Sequence, residues 1–199
     1  MLTDINLKRF PAPQGDGGQH NRMHPHKFTL WVAIGSIIMM FAGLTSAYIV
    51  KSGQANWEGV QTPVEFWYST VAILLSSLTI QMAVRSFKQR EMSRYRLLIT
   101  VTTVLGIVFV VLQWSGFQWM WANGVRFVGA GAGQFLYIIA GLHAIHVIGG
   151  IVALIWMVVK AFFGKVKVYN SVPVEIVKTY WHFVDLLWIY LLVFFIWLG

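Results

Sequence analysis

Five apolar runs of membrane-spanning length dominate this chain of 199 residues. The runs extend over about residues 28–50, 66–84, 97–119, 134–159 and 179–198. A helix rises 1.5 Å per residue, so about 20 residues cross a hydrocarbon core ~30 Å thick. Hydrophobic residues make up 57% of the chain and charged residues only 11%, which is not the composition of a soluble globular domain. The sequence therefore predicts an all-α integral membrane bundle of five transmembrane helices within residues 28–199.

The basic residues are sorted between the two sides of these runs. Of the 15 Lys and Arg residues, all but Lys51 and Arg126 precede the first run or lie between runs two and three or runs four and five. Positive charge is retained on the cytoplasmic side during insertion, so we predict a cytoplasmic N-terminus and a periplasmic C-terminus. The net charge of +8 does not indicate nucleic-acid binding, because such binding needs one continuous basic face.

Residues 1–27 are predicted to form a polar cytoplasmic arm. Its His20, His24 and His26 lie within seven residues and could suggest a metal site. Pro25 interrupts any helix that would align the three imidazoles, so a solvated segment is the better interpretation. The chain has no cysteine, which excludes thiolate ligands and cysteine nucleophiles.

Polar side chains inside the runs need a partner or a function, because their burial in hydrocarbon is costly. The residues of this kind are Ser76, Ser77, Thr102, Gln113, His143, His146, Glu175, His182 and Asp185. His143 and His146 share a helix face near the middle of the bilayer, whereas His182 is only about 6 Å inside the inner end of its run. This difference in depth disfavours a shared metal or haem site, and we expect no carboxylate at mid-membrane. Interhelical hydrogen bonding by the histidine pair is the leading interpretation, with a proton pathway or a metal site as alternatives.

His182 and Asp185 are one helical turn apart, a spacing at which imidazole and carboxylate form a hydrogen-bonded pair. We predict that this pair ties the last helix to its neighbours. A proton-handling group near the cytoplasmic surface is the alternative, but no polar chain continues from the pair.

Two motifs resemble subunit III of haem–copper terminal oxidases. The segment His143-Ala-Ile-His146-Val-Ile-Gly-Gly is similar to the family's His-x-x-His-Val-x-x-Gly signature. The segment Tyr180-Trp-His-Phe-Val-Asp185 resembles the start of the family's last helix, and Glu175 matches in its spacing before the histidine. Gln113 in run three also fits. The resemblance covers about residues 27–199.

The resemblance implies a non-redox accessory subunit of a bacterial cytochrome c oxidase in the inner membrane. Such a subunit packs against catalytic subunit I, with subunit II in the complex, and supports proton uptake during reduction of oxygen to water. It has no catalytic residue, metal or cofactor of its own, since haem and copper belong to the partner subunits. On this resemblance, the residues that hold the bundle and the subunit interface are His143, His146, Glu175, His182, Asp185 and Gln113.

The chain departs from the family's long form at two points. That form has seven helices, and this chain matches the short five-helix form typical of bacteria, without the two helices that close a phospholipid cleft. A bound phospholipid in that cleft would then need a wall from a partner. The family's membrane-buried glutamate aligns with Ile37, so no role of that carboxylate applies here. Lys27 falls near the family's basic residue for lipid headgroups.

Other functions fit parts of the pattern. A quinol oxidase or nitric oxide reductase has a related accessory subunit, and a larger respiratory supercomplex is compatible with each of these assignments. From other classes, an independent proton-coupled transporter could use the histidine pair, and a membrane metal enzyme could bind metal through it.

Overall fold

The computed structural model describes residues 25–53, 63–124, 132–163 and 171–198. The helices are α1 (Pro25–Ser52), α2 (Glu65–Lys88), α3 (Met92–Ala122), α4 (Ala132–Phe163) and α5 (Val172–Leu198). Each is long and apolar enough to cross a membrane, and the described ranges contain no strand. The prediction of an all-α bundle of five membrane-spanning helices is confirmed. The predicted arm, with His20 and His24, lies outside the described residues except for its last three positions.

The helices extend beyond the predicted apolar runs, because a helix continues through polar residues that hydropathy assigns to connections. The largest difference is in α5, which begins at Val172 rather than at 179. Pro173 lies in its first turn, where the missing N–H is not needed for an intrahelical bond. Between α2 and α3 the connection is only three residues long, and Arg90 takes a left-handed conformation with φ 62°.

Helices α2, α3, α4 and α5 form a ring in which each contacts the next and α5 closes against α2. Helix α1 packs outside this ring against α4 and α5. The backbone of the last helix therefore lies next to three of the other four helices, and its side chains also reach α3. This position explains why α5 has the largest buried share among the five candidate spans.

Trp181 of α5 lies at the centre of the ring and is fully buried. A Cβ added at Gly106 of α3 would lie 2.8 Å from its indole ring, and one added at Gly150 of α4 would lie 3.0 Å from it. Its indole N–H donates to Ser76 Oγ of α2 at 2.7 Å. One side chain thus contacts three helices. A methyl group at position 106 would overlap the indole, and one at position 150 would require the indole to shift by a few tenths of an ångström.

We predict that Gly106→Ala destabilises the bundle although alanine is the better helix former. Overpacking against the rigid Trp181 ring should lower the free energy of unfolding by about 1–3 kcal/mol. Gly35→Ala is the matched control, because a Cβ added there has no heavy atom within 4 Å. Denaturant unfolding of the purified variants in detergent micelles provides the measurement. Equal stability of the two variants would contradict the proposed packing.

Candidate functional site

The polar side chains of the interior converge on α2. Among the described residues, five hydroxyl groups on this helix bond to α3 or α5. Four of them are here called the hydroxyl ladder: Ser69, Thr70, Ser76 and Ser77. Ser69 and Ser76 are seven residues apart, as are Thr70 and Ser77, so each pair returns to one face after two turns. The ladder therefore presents two levels of hydrogen-bonding groups to the neighbouring helices.

Helix α5 bonds to both levels. Trp181 Nε1 donates to Ser76 at 2.7 Å, and Trp188 Nε1 donates to Thr70 Oγ1 at 3.0 Å. The two tryptophans are also seven residues apart, so the antiparallel helices keep the same register through two turns. Buried indole N–H groups need acceptors, and the ladder supplies them. Sequence reasoning identified Ser76 but missed Thr70 and both indole donors, which the shared two-turn spacing could have indicated.

Helix α3 bonds to the ladder through Gln113. The buried amide Nε2 of Gln113 donates to Ser69 Oγ at 2.7 Å. Nearer the α2–α3 connection, Thr79 and Thr102 exchange a hydrogen bond at 2.8 Å between their hydroxyl groups. The interface of α2 with α3 thus has polar links in addition to its apolar packing.

The predicted pair of His182 and Asp185 does not form. His182 Nδ1 lies 2.6 Å from Ser77 Oγ, in a hydrogen bond to α2. Both carboxyl oxygens of Asp185 are buried, and the same Ser77 hydroxyl lies near them, but no group in the described part of the chain meets ordinary hydrogen-bond geometry with them. The Ser77 hydroxyl of α2 is close enough to bond the imidazole of His182. The ring therefore pairs across the helix interface rather than along its own helix. His182 does tie α5 to its neighbour, but through a serine.

These two residues lie further along their helix than the apolar run indicated, whereas their depth in a membrane stays a prediction. His182 lies ten residues into α5, about 15 Å along the axis, because the helix begins at Val172 rather than at 179. Asp185 is the middle residue of α5. A carboxyl group therefore lies halfway along this helix.

His143 is enclosed by aromatic rings. Its imidazole stacks on Trp188 with ring centroids 5.5 Å apart and meets Phe41 and Phe109 edge to face, both at 6.4 Å. The side chain is only 1% exposed, and neither ring nitrogen has a hydrogen-bond partner within the described ranges. The expected interhelical hydrogen bond of His143 is therefore not formed among the described residues, where three aromatic rings pack against the imidazole.

His146 satisfies one ring nitrogen within its own helix. Its Nδ1 bonds to the carbonyl of Leu142 at 2.7 Å, and its ring contacts Phe41 with centroids 5.9 Å apart. Both histidines thus face α1 through Phe41, in agreement with the predicted shared face. The link from this position to α5 uses the backbone, since Tyr180 Oη donates to the carbonyl of His146 at 3.0 Å.

His143, His146 and His182 do not form a ligand set. His143 stacks on Trp188, which lies six residues beyond His182, about 9 Å along α5. A bis-histidine haem needs two imidazoles at one level on opposed helices, and these residues do not fit that requirement. Among the residues that the structure describes, no three His, Cys, Asp or Glu side chains come close enough to hold a metal ion.

Glu175 links three helices at the end of the bundle where α5 begins. Its two carboxylate oxygens each lie 2.9 Å from an ammonium group, one of Lys27 on α1 and one of Lys88 on α2. Both pairs are partly exposed, so each adds little to stability but restricts where the helix ends can lie. Lys27, which the resemblance places near lipid headgroups, thus uses its ammonium group for an ion pair within the chain.

These features define a polytopic helical membrane protein whose interior polar groups mostly bond one another. The chain matches the family model described as cytochrome c oxidase subunit III over residues 18–199. It belongs to the cytochrome c oxidase subunit III family, as the resemblance of its motifs predicted.

Individual relatives agree with this assignment. The chain is 29% identical over 180 residues to the probable cytochrome c oxidase subunit 3 of Mycobacterium tuberculosis, covering 85% of this chain and 89% of that protein. It is 30% identical over 179 residues to the protein of the same name from Nocardia farcinica, covering 84% and 88%. A probable quinol oxidase subunit 3 of Staphylococcus epidermidis is 25% identical over 171 residues, covering 83% and 85%.

We predict that Ser76→Ala lowers the free energy of unfolding by about 1–3 kcal/mol, because it leaves the buried Trp181 N–H without its acceptor. Ser36→Ala is the control, since the exposed Ser36 hydroxyl bonds only to the carbonyl of Ala33 in its own helix. Unfolding of both variants in mixed micelles, followed by tryptophan fluorescence, gives the comparison. If the two serines behave alike, the ladder has no special role in stability.

Proposed function

We propose that this chain is a non-redox accessory subunit of a haem–copper oxidase in a bacterial respiratory chain. Membership of the subunit III family supports this function. The observation that carries the proposal furthest is the hydroxyl ladder. Its bonds to Trp181, Trp188 and Gln113 use interior polar groups to hold helices together rather than to bind a reacting molecule.

In this proposal the chain packs against the catalytic subunit I of the oxidase, with subunit II in the same complex. Those partners hold the haem and copper, and cytochrome c is the electron donor. A quinol donor is the alternative, which the name of the Staphylococcus epidermidis relative supports. The family assignment leaves the accessory role the same in both cases.

The contribution of the subunit is mechanical support during turnover. A ring of helices joined at its centre by Trp181 is a rigid surface for a neighbouring membrane protein. At the end where α5 begins, Glu175 and its two lysine partners fix the relative positions of α1, α2 and α5. We propose that this end faces the cytoplasm and helps to keep the proton-uptake surface of the catalytic subunit in order.

An independent proton-coupled transporter has less support. Its path would need polar groups in continuous contact across the bundle, as in known proton relays. Here the described interior groups form separate bonds, and aromatic rings surround His143. The arrangement of the charged residues supports insertion in the bacterial inner membrane with the N-terminus inside.

Purification of the tagged chain in mild detergent tests the assembly. We expect a haem-containing partner to co-purify with it. An oxidase prepared from cells lacking this chain should keep its haem spectrum but lose activity progressively over repeated turnover. Restoring the gene should restore sustained activity. Immediate loss of haem, or proton transport by the isolated chain in liposomes, would contradict the accessory role.

The orientation can be tested cleanly because the chain has no native cysteine. Gln89→Cys and Asn123→Cys place single thiols at exposed positions at opposite ends of α3. We expect a membrane-impermeant maleimide to label Asn123→Cys in intact spheroplasts and Gln89→Cys only after lysis. The reverse pattern would invert the proposed topology.

A further inference from the structure

A groove of about 550 Å³ runs between α3 and α4. Its walls include aromatic side chains of α3, among them Phe109, Phe117 and Trp121. Its floor on α4 consists of the small residues Ala140, Gly141 and Ala144, and His143 also lines it. Gln113 also lines the groove, but its amide nitrogen donates to Ser69 of α2.

The floor of the groove is open down to the α4 backbone. A Cβ added at Gly141 would meet no heavy atom within 4 Å, whereas the space at Gly106 and Gly150 is filled by Trp181. Gly141 is thus not required by any contact within the described chain. Its small size instead deepens the groove on the outer surface of the four-helix ring.

The length of the groove matches half of a bilayer. On α4 it extends from Tyr137 to Ile148, eleven residues or about 16 Å. One leaflet contributes roughly half of the ~30 Å hydrocarbon core. Trp121 and Tyr137 lie at the end next to the α3–α4 connection, where aromatic side chains are typical of the membrane interface. The groove therefore begins at one interface and ends near the middle of the bundle.

The lining favours an apolar occupant without polar groups along its length. The amide nitrogen of Gln113 donates to Ser69, and both ring nitrogens of His143 are covered by protein atoms. A quinone-type ring has carbonyl groups that accept hydrogen bonds, and it would find few donors in this groove. Most ligand sites provide a few such polar groups. A helix about 10 Å wide cannot enter the space between two helices that contact each other. A hydrocarbon chain fits the groove in length and polarity.

We propose that the α3–α4 groove binds one acyl chain of a phospholipid from the leaflet at the α3–α4 connection. This site is built by the chain's own residues and is separate from the cleft that the two absent helices close in the family's long form. The inference depends on insertion in a bilayer and not on the identity of the partner subunit.

Photocrosslinking in a membrane tests the site. The complex that co-purifies with the tagged chain is reconstituted in phosphatidylethanolamine vesicles containing phosphatidylglycerol with a diazirine on one acyl chain. After illumination, the modified residues are mapped by peptide mass spectrometry. We expect adducts concentrated on the α3 and α4 residues that line the groove, with few on the outward-facing Ile145 and Val152 of α4, which are 65% and 60% exposed.

Filling the groove provides the matched comparison. Gly141→Leu and Ala144→Leu should each lose the groove adducts while keeping those elsewhere on the chain. Gly43→Leu should keep both, since Gly43 of α1 also has open space around an added Cβ. Adducts spread evenly over all outward faces would overturn the proposal. So would protection of the groove by a co-purifying protein that crosslinks there instead, and that result would leave the accessory function intact.

Discussion

The packing of one indole ring is the constraint on which the rest of this bundle depends. Trp181 fills the centre of the four-helix ring because Gly106 and Gly150 have no side chain there, and Ser76 accepts a hydrogen bond from its indole N–H. In a bilayer, apolar burial does not favour helix association over contact with lipid, so close packing and hydrogen bonds must do so. This side chain provides both, toward three helices at once.

Hydropathy and charge were sufficient to predict the number of helices and their membrane-spanning character. They placed the ends of the helices less well, since α5 begins seven residues before the predicted apolar run. The reason is that Glu175 and Lys178 are polar but helical, and hydropathy cannot distinguish a polar helical turn from a connection. The family resemblance was predictable because its motifs lie in two short, specific segments.

The partners of the interior polar groups were harder to predict. Spacing along one helix suggested that His182 would pair with Asp185, whereas the nearest acceptor or donor belongs to α2. Which face of α2 meets α5 depends on the tertiary register, and a single sequence does not specify it. A hydropathy pattern counts tryptophan among the apolar residues and does not show that its indole N–H needs an acceptor. The groups that need partners most strongly were thus partly hidden among apolar residues.

The position of Trp181 in α5 has a consequence for biogenesis. Helices are synthesised in chain order, and α2 and α3 are joined by only three residues, so these two emerge as a hairpin. Until α5 follows, Ser76 has no indole to accept from and the spaces beside Gly106 and Gly150 stay unfilled. The side chain that joins α2, α3 and α4 is therefore the last of the four partners to be synthesised, and the centre of the bundle can form only once α5 is present.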